Sequence, residues 1–378
     1  MQQIRITVNA TEFKSAIEKI SKVAAIKSYM QPLMNTCLTT DGDSLRISAT
    51  NLEQYAEAKI GAHTESPAAF IFSDTKTLLK GMRFFTGDTV VLEYTPSKTV
   101  EKSNGNGKQC TVPGEVIVSC GGKTMKQQTF EASEFPEFPI LEKKLLNHFE
   151  YCNKKLKERF TAISYAAATT SEKPVLQGIC FRESDMVALD DYRIAINKDN
   201  NLSVNKPFVV PCAAIKLVND IMSRQLRMST DEEYIQFIDE LAGITLTSRL
   251  RRGEYLDYSK HVQNRGQTEI IVDVKDFTNA LKYLKAFRTK NEAVHWYNRK
   301  MALDSDKGSF ESEIEADGDM EFEIALNADH MLEGLSQFKG NVTIYLNTCF
   351  SPMVILGSDE TNQAVVVPVY SKKRLFAP

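Results

Sequence analysis

The chain has 378 residues, 42% of them hydrophobic and 25% charged, the composition of an ordinary globular protein long enough for two or three cores. Its longest apolar runs fall far short of a membrane span, and the opening MQQIRITVNA lacks the charged-then-apolar pattern of an export signal. The net charge of −3 gives no hint of a nucleic-acid partner by itself.

In chain order, TEFKSAIEKISKVAAIK predicts a helix over 12–27, with Phe13, Ile17 and Ile20 spaced i, i+4, i+7 as one buried stripe. FIFSDTKTLLKGMRFF predicts a short strand and then a helix over 74–85, with Asp74 suited to its start, and TVVLEY a strand. Between Tyr94 and Val116 lies a polar run with two Asn-Gly steps, which favour a type I′ turn because both residues tolerate positive φ. It predicts an elongated hairpin tip at about 95–116; a disordered loop is the alternative at its apex. NKKLKERFTAISYAAATT then predicts a helix over 150–168 with the stripe Leu156, Phe160, Ile163, and FVVPCAAIKLVNDIM one over 212–224. VKDFTNALKYLKAFRTK predicts a helix over 275–290 with the stripe Phe277, Leu281, Leu284, and EIALNADHMLEGLSQF one over 328–339.

Two helix types thus recur three times, the second followed each time by alternating strand sequence: TVVLEY, EYIQFI, VTIYL. The phrase that runs proline, short apolar run, polar turn, strand and acidic corner also repeats, at Tyr29–Ala56 and Glu172–Ala195. The expectation is an α+β protein of three tandem units, each of roughly 110–145 residues, an ordinary domain size. The boundaries fall near 144 and 266, giving domains 1–144, 145–266 and 267–378.

Charge is segregated. Five of the six predicted helices are net positive in a chain of net −3, so the remainder is acidic. Lys76, Lys80 and Arg83 are spaced i, i+4, i+7, and Lys275, Lys282 and Lys285 share about a quarter turn. A basic surface of helix faces without interleaved aromatics suits phosphates rather than base edges. For any one helix, a solvated lysine-rich face is the plainer explanation.

Catalytic patterns are lacking. The pairs Asp190, Asp191 and Asp304, Asp306 suit Mg²⁺ in principle, but both sit in turn-like sequence. The histidines show no HExxH, and GxxxxGK[ST], GxGxxG and GxSxG are all missing. Seven cysteines form no CxxC and leave one over, which suits reduced thiols in a cytoplasm better than disulfides or zinc. The expectation is no enzyme, no cofactor and no metal.

Four motifs in order then carry a resemblance. They are Lys173-Pro174-Val175-Leu176-Gln177-Gly178 with Leu189-Asp190-Asp191-Tyr192-Arg193-Ile194-Ala195, EFPEFP at 134–139, Gly253-Glu254-Tyr255-Leu256-Asp257-Tyr258, and Val365-Val366-Val367-Pro368-Val369. The chain resembles the bacterial DNA polymerase sliding clamp, the β subunit of the replicative polymerase, as a divergent member. The resemblance implies three tandem domains of the DNA-clamp fold, each with two helices on an inner face and antiparallel sheets outside. Two copies would join head to tail in a ring around duplex DNA, a processivity factor that reads no sequence.

Carried over by position, the DNA-facing residues are Lys27, Lys76, Lys80, Arg83, Lys154, Lys157, Lys216, Arg224, Lys275, Lys282 and Lys285. The dimer interface implied is Met125 and Gln127 on one side and Phe287 and Arg288 on the other. A hydrophobic cleft for short peptides of polymerase, clamp loader and repair proteins would draw Leu176, Leu189, Tyr192, Arg193 and Ile194 from the second domain. Leu256, Lys260 and His261 would come from the connection, and His330, Phe350, Pro352, Val365, Val367, Pro368 and Val369 from the third domain. Asp191 and Tyr192 depart from the small residue and His of the family, which predicts a reshaped pocket.

The stretch 371–378, SKKRLFAP, goes past the point where that family normally stops, and Leu375-Phe376 resembles the hydrophobic end of a clamp-binding peptide. The hypothesis this suggests is a tail able to occupy a cleft, its own or a neighbour's, and compete with partners; a frayed basic tail is the plainer reading. The rival functions are a monomeric peptide-binding adaptor and a metal-dependent nucleic-acid enzyme.

Overall fold

The computed structural model describes residues 3–101, 109–141, 147–151, 155–223, 226–263, 265–290 and 292–376. Among them are seven α-helices: α1 (Ala10–Ile20), α2 (Thr75–Met82), α3 (Lys155–Ile163), α4 (Cys212–Ile221), α5 (Ser259–Gln263), α6 (Val274–Lys285) and α7 (Ala328–Leu335). The stripes Phe13, Ile17, Ile20 of α1, Leu156, Phe160, Ile163 of α3 and Phe277, Leu281, Leu284 of α6 are all closed to solvent. Side chains four and seven apart point the same way on a helix, so each helix packs one face and leaves the other wet.

Four of these helices start on a side-chain cap. Asn9 accepts from the Thr11 amide at 2.9 Å, Asp74 from Thr77 at 2.9 Å, Asp273 from Asp276 at 2.9 Å and Asn327 from Asp329 at 3.0 Å. Each contributes about 1 kcal/mol. The helices end sooner than the sequence suggests. α1 passes at Ser21 into a short 3₁₀ turn to Val23, and α6 stops at Lys285. Of the expected helix over 150–168, Lys155–Ile163 is helical among the described residues, whereas Glu150 and Tyr151 belong to strand Asn147–Tyr151, which pairs with Leu226–Thr230. Asn147 and Phe149 are buried while His148 faces solvent, a period of two that belongs to a sheet.

The chain divides into two compact units, residues 1–154 with 213–250, and residues 155–212 with 251–378. The first is built on a twelve-stranded sheet. Within it Gln54–Thr64 pairs antiparallel with Ile244–Arg249, Ala58 opposite Ile244, so the first third of the chain shares a sheet with part of the middle third. Lys98–Glu101 and Gln109–Val112 form a separate two-stranded ribbon; its two Asn-Gly steps lie outside the described residues.

The second unit holds a nine-stranded sheet, in which Arg193–Lys198 pairs with Asn362–Val366, Arg193 opposite Val366. It also holds a four-stranded sheet of Val294–Tyr297, Lys300–Ser305, Gly308–Glu313 and Ile324–Leu326. α6 and α7 close one core there, with Phe277 edge-on to Trp296 at 5.0 Å. Strand pairing therefore gathers the middle third of the chain into two different sheets. Among the described residues no helix is long and apolar enough to cross a membrane.

Burial also grades the thiols. It pushes Cys37 and Cys212 up to about 11 and Cys180 up to about 12. Only the thiolate reacts, so Cys180 is expected to alkylate roughly a thousandfold more slowly at pH 8 than an ordinary free cysteine. Peptide mapping after brief iodoacetamide treatment of the native protein checks this. Rapid labelling of Cys180 would mean that the core opens.

Candidate functional site

The corner Asp190–Tyr192 joins strands Asp185–Leu189 and Arg193–Lys198. One Asp190 carboxylate oxygen accepts the amides of Tyr192 at 2.8 Å and Arg193 at 2.7 Å, which closes the turn. The other accepts Arg193 Nη2 at 2.7 Å and Nε at 3.2 Å. Arg193 also pairs with Glu333 of α7, and its guanidinium lies 5.8 Å over the Tyr165 ring. The corner thus supplies a fixed ion pair, and turn use accounts for Asp190 without a metal.

Beside this corner lies a cavity of about 290 Å³. Leu189, Ile194 and Val365 bring apolar side chains to it from neighbouring strands, and Val367 and Pro352 extend that surface. Leu256, Tyr258 and His261 approach from the segment that leads into α5 and from α5 itself. Tyr258 donates to Asp185 at 3.2 Å, which anchors that segment to the sheet. The Val367 amide donates to the Tyr192 carbonyl at 2.9 Å and ties the two sides together.

Tyr192 stands 57% exposed at the rim, with its ring 5.5 Å from that of His330. Burial and the nearby Arg193 charge lower the His330 pKa from its ordinary value. The Tyr192–His330 part of the rim is therefore aromatic and adds no cation at neutral pH, beside the charged Asp191 and Asp257. An apolar slot of this size takes one or two large side chains, each contributing about 1.5–3 kcal/mol on burial.

Of the expected cleft residues, Leu189, Tyr192, Arg193, Ile194, Leu256, His261, Pro352, Val365 and Val367 line the cavity. Leu176 lies in the core beneath it. Lys260 is exposed on α5, Phe350 stacks on Tyr370 at 5.7 Å, Pro368 is half-buried and the Val369 amide binds the Ala325 carbonyl at 2.8 Å. Asp257 and Tyr258 line the cavity unforeseen. The signal available was the Asp-x-Ser start of α5, where Asp257 accepts the Ser259 amide at 3.1 Å.

The basic side chains fall on wet helix faces. Lys76, Lys80 and Arg83 are exposed on and just after α2, away from buried Thr75, Leu78 and Met82. Lys216 is exposed on α4 and Lys27 in the stretch after α1. In the second unit Lys275, Lys282 and Lys285 are exposed on α6, and Lys157 is half-buried on α3. Lys285 is not free: it pairs with Asp329, which also holds Arg288 at 2.9 Å. Lys154 and Arg224 lie outside the described residues.

Two of the sheet edges left open among the described residues bear on the implied dimer interface. Strand Lys123–Glu131 pairs along its length with Gly114–Cys120 but meets Ala69–Phe72 only at Thr129–Glu131. Its free edge carries Met125 and Gln127, the latter donating to the Asp74 carbonyl at 3.1 Å. Strand Gly308–Glu313 pairs only with Lys300–Ser305. Phe287 stacks on its Phe310 at 4.0 Å. Among the described residues no group of His, Cys, Asp and Glu is placed to hold a metal ion.

No family model matches the chain. It is 19% identical over 391 residues to the beta sliding clamp of Bacillus subtilis, with 97% of this chain and 99% of the relative covered. The DNA polymerase sliding clamp of Caulobacter crescentus superposes with a TM-score of 0.84 at 17% identity, over 97% of this chain and 100% of that one. The DNA polymerase III beta subunit of Thermotoga maritima gives 0.81 at 20% identity, over 97% and 100%. The fold of the chain is that of the bacterial sliding clamps, and the resemblance runs end to end at low identity.

Proposed function

We propose that the chain is a DNA sliding clamp, a non-catalytic factor that encloses duplex DNA and tethers polymerase, clamp loader and repair proteins by short hydrophobic peptides. One observation carries the reading. Cations project from the wet faces of helices whose other faces build the cores, in a chain with the clamp fold throughout. Contacts limited to phosphates depend little on sequence, so a closed ring held by them slides.

The chain is taken to count three clamp domains, with boundaries near 144 and 266, and two copies to close head to tail. The open edges support that closure. Lys123 lies on one and Glu311 and Glu313 on the other, so unlike edges attract, while Lys126 is already paired with Glu115 at 2.7 Å. The cavity beside Tyr192 is read as the peptide cleft.

The deciding experiment loads the protein on closed circular duplex and then cuts the circle. Retention on the circle with loss within minutes of linearisation is the expected result, from a species of twice the chain's mass. A monomeric adaptor would sediment at the chain's own mass, and a metal-dependent enzyme would modify the DNA on adding Mg²⁺.

A further inference from the structure

Beyond the cavity the chain turns away from it. The amides of Leu375 and Phe376 donate to the Glu323 carboxylate at 2.9, 3.1 and 3.2 Å. Arg374 Nη1 reaches the Glu323 carbonyl at 2.9 Å, and Lys373 pairs with Asp304. The Phe376 ring stacks on Tyr297 at 6.1 Å and 27°. The hypothesis that Leu375 and Phe376 fill a cleft is not what the chain adopts. They sit on the four-stranded sheet instead, because that sheet offers a carboxylate.

Glu323 makes this a built seat. Its side chain is 5% exposed and pairs with an equally buried His295. A carboxylate withdrawn from water needs donors, and charge-assisted amide bonds are among the strongest. Burial alone would raise the Glu323 carboxyl, but the amides of Phe376 and Leu375 and the His295 ring outweigh it and hold it below its ordinary value. The same geometry selects its ligand. Main-chain amides meet the carboxylate, a guanidinium meets a carbonyl and a ring meets Tyr297.

We propose that Glu323, His295 and Tyr297 form a second peptide site for an extended segment with an aromatic residue two places after a basic one, whose resident ligand is residues 373–376 of the same chain. Seated there, Leu375 and Phe376 are withheld from the cavity beside Tyr192, a consequence that rests on that cavity being a peptide cleft. A tethered ligand acts at an effective concentration on the order of millimolar, so a free peptide enters only when the tether is weakened.

The test uses the full chain and a fluorescent octapeptide Ser-Lys-Lys-Arg-Leu-Phe-Ala-Pro, read by anisotropy. Phe376→Ala removes the ring contact and weakens the tethered segment's hold, and that variant should bind the octapeptide at least tenfold more tightly than the parent. Adding Glu323→Gln or Tyr297→Ala should return binding to the parent's level; Tyr297→Ala decides alone if the buried glutamine prevents folding. Adding Val367→Glu, which puts a charge in the cavity, removes binding there from parent and variant alike and should leave the tenfold difference between them. Equal binding by parent and Phe376→Ala, or no binding by either, overturns the proposal. Binding lost with Val367→Glu and kept with Tyr297→Ala also overturns it, and leaves the cleft reading standing.

Discussion

A chain carrying Lys76→Glu, Lys80→Glu and Arg83→Glu is expected to lose retention on closed circular duplex while folding as the parent does. All three side chains are exposed, and the buried face of α2 is untouched. Each phosphate contact releases about 0.9 counterion, and six contacts account for on the order of a thousandfold affinity between low and physiological salt. In the proposed dimer, two copies of the triple reversal would remove six such contacts and place six repulsive charges in their stead. Retention should fall by at least that factor at physiological salt, with the salt slope lowered by about five. Reversing Lys285 should do much less, since Asp329 already engages it. Circular dichroism verifies the fold, and co-sedimentation with nicked and closed plasmid reads retention. Undiminished retention by the triple variant would remove the electrostatic basis of the function.

Arg193→Ala should be the most damaging single substitution at the cavity. The Arg193 and Asp190 side chains are 12% and 15% exposed, so the pair is largely out of water. Removing the guanidinium leaves that carboxylate with only its two turn amides, and breaking a buried pair from one side costs about 3–5 kcal/mol. In a unit of this size 1 kcal/mol moves the melting midpoint by about 2–4 °C, so a drop of roughly 10 °C is expected by calorimetry. Arg193→Lys should recover only part of it, because a point charge does not reproduce the two-pronged contact. The corner also carries the Tyr192 carbonyl that holds Val367, so peptide affinity should fall with the midpoint. A shift under about 2 °C would mean that water replaces the arginine freely.

What the sequence disclosed was what neighbours in sequence decide. The stripes of α1, α3 and α6 were legible because side chains four and seven apart share a helix face, and all nine residues are buried. The caps at Asp74 and Asn327 were legible for the same local reason. Strand Asn147–Tyr151 was not, since its partner Leu226–Thr230 is far along the chain and a five-residue segment with only two apolar side chains carries little periodicity of its own. At the cavity, Leu189, Ile194 and Val365 came from the family resemblance. Nothing near Arg193 in sequence reveals that it faces Val366. The seat at Glu323 was wholly invisible. Its sequence, Glu-Phe-Glu-Ile, marks neither which carboxylate is buried nor that amides some fifty positions later will satisfy it.

The pairing of Arg193–Lys198 with Asn362–Val366 has an evolutionary consequence. The floor of the cavity is woven from one hydrogen-bonded lattice, so its spacing is inherited with the fold and drifts little. Tyr192 and Leu256 stand on the margin, 57% and 40% exposed, where replacement costs the core little. On the proposed peptide-cleft reading, a lineage that trades those two side chains acquires new clients without relearning how to fold.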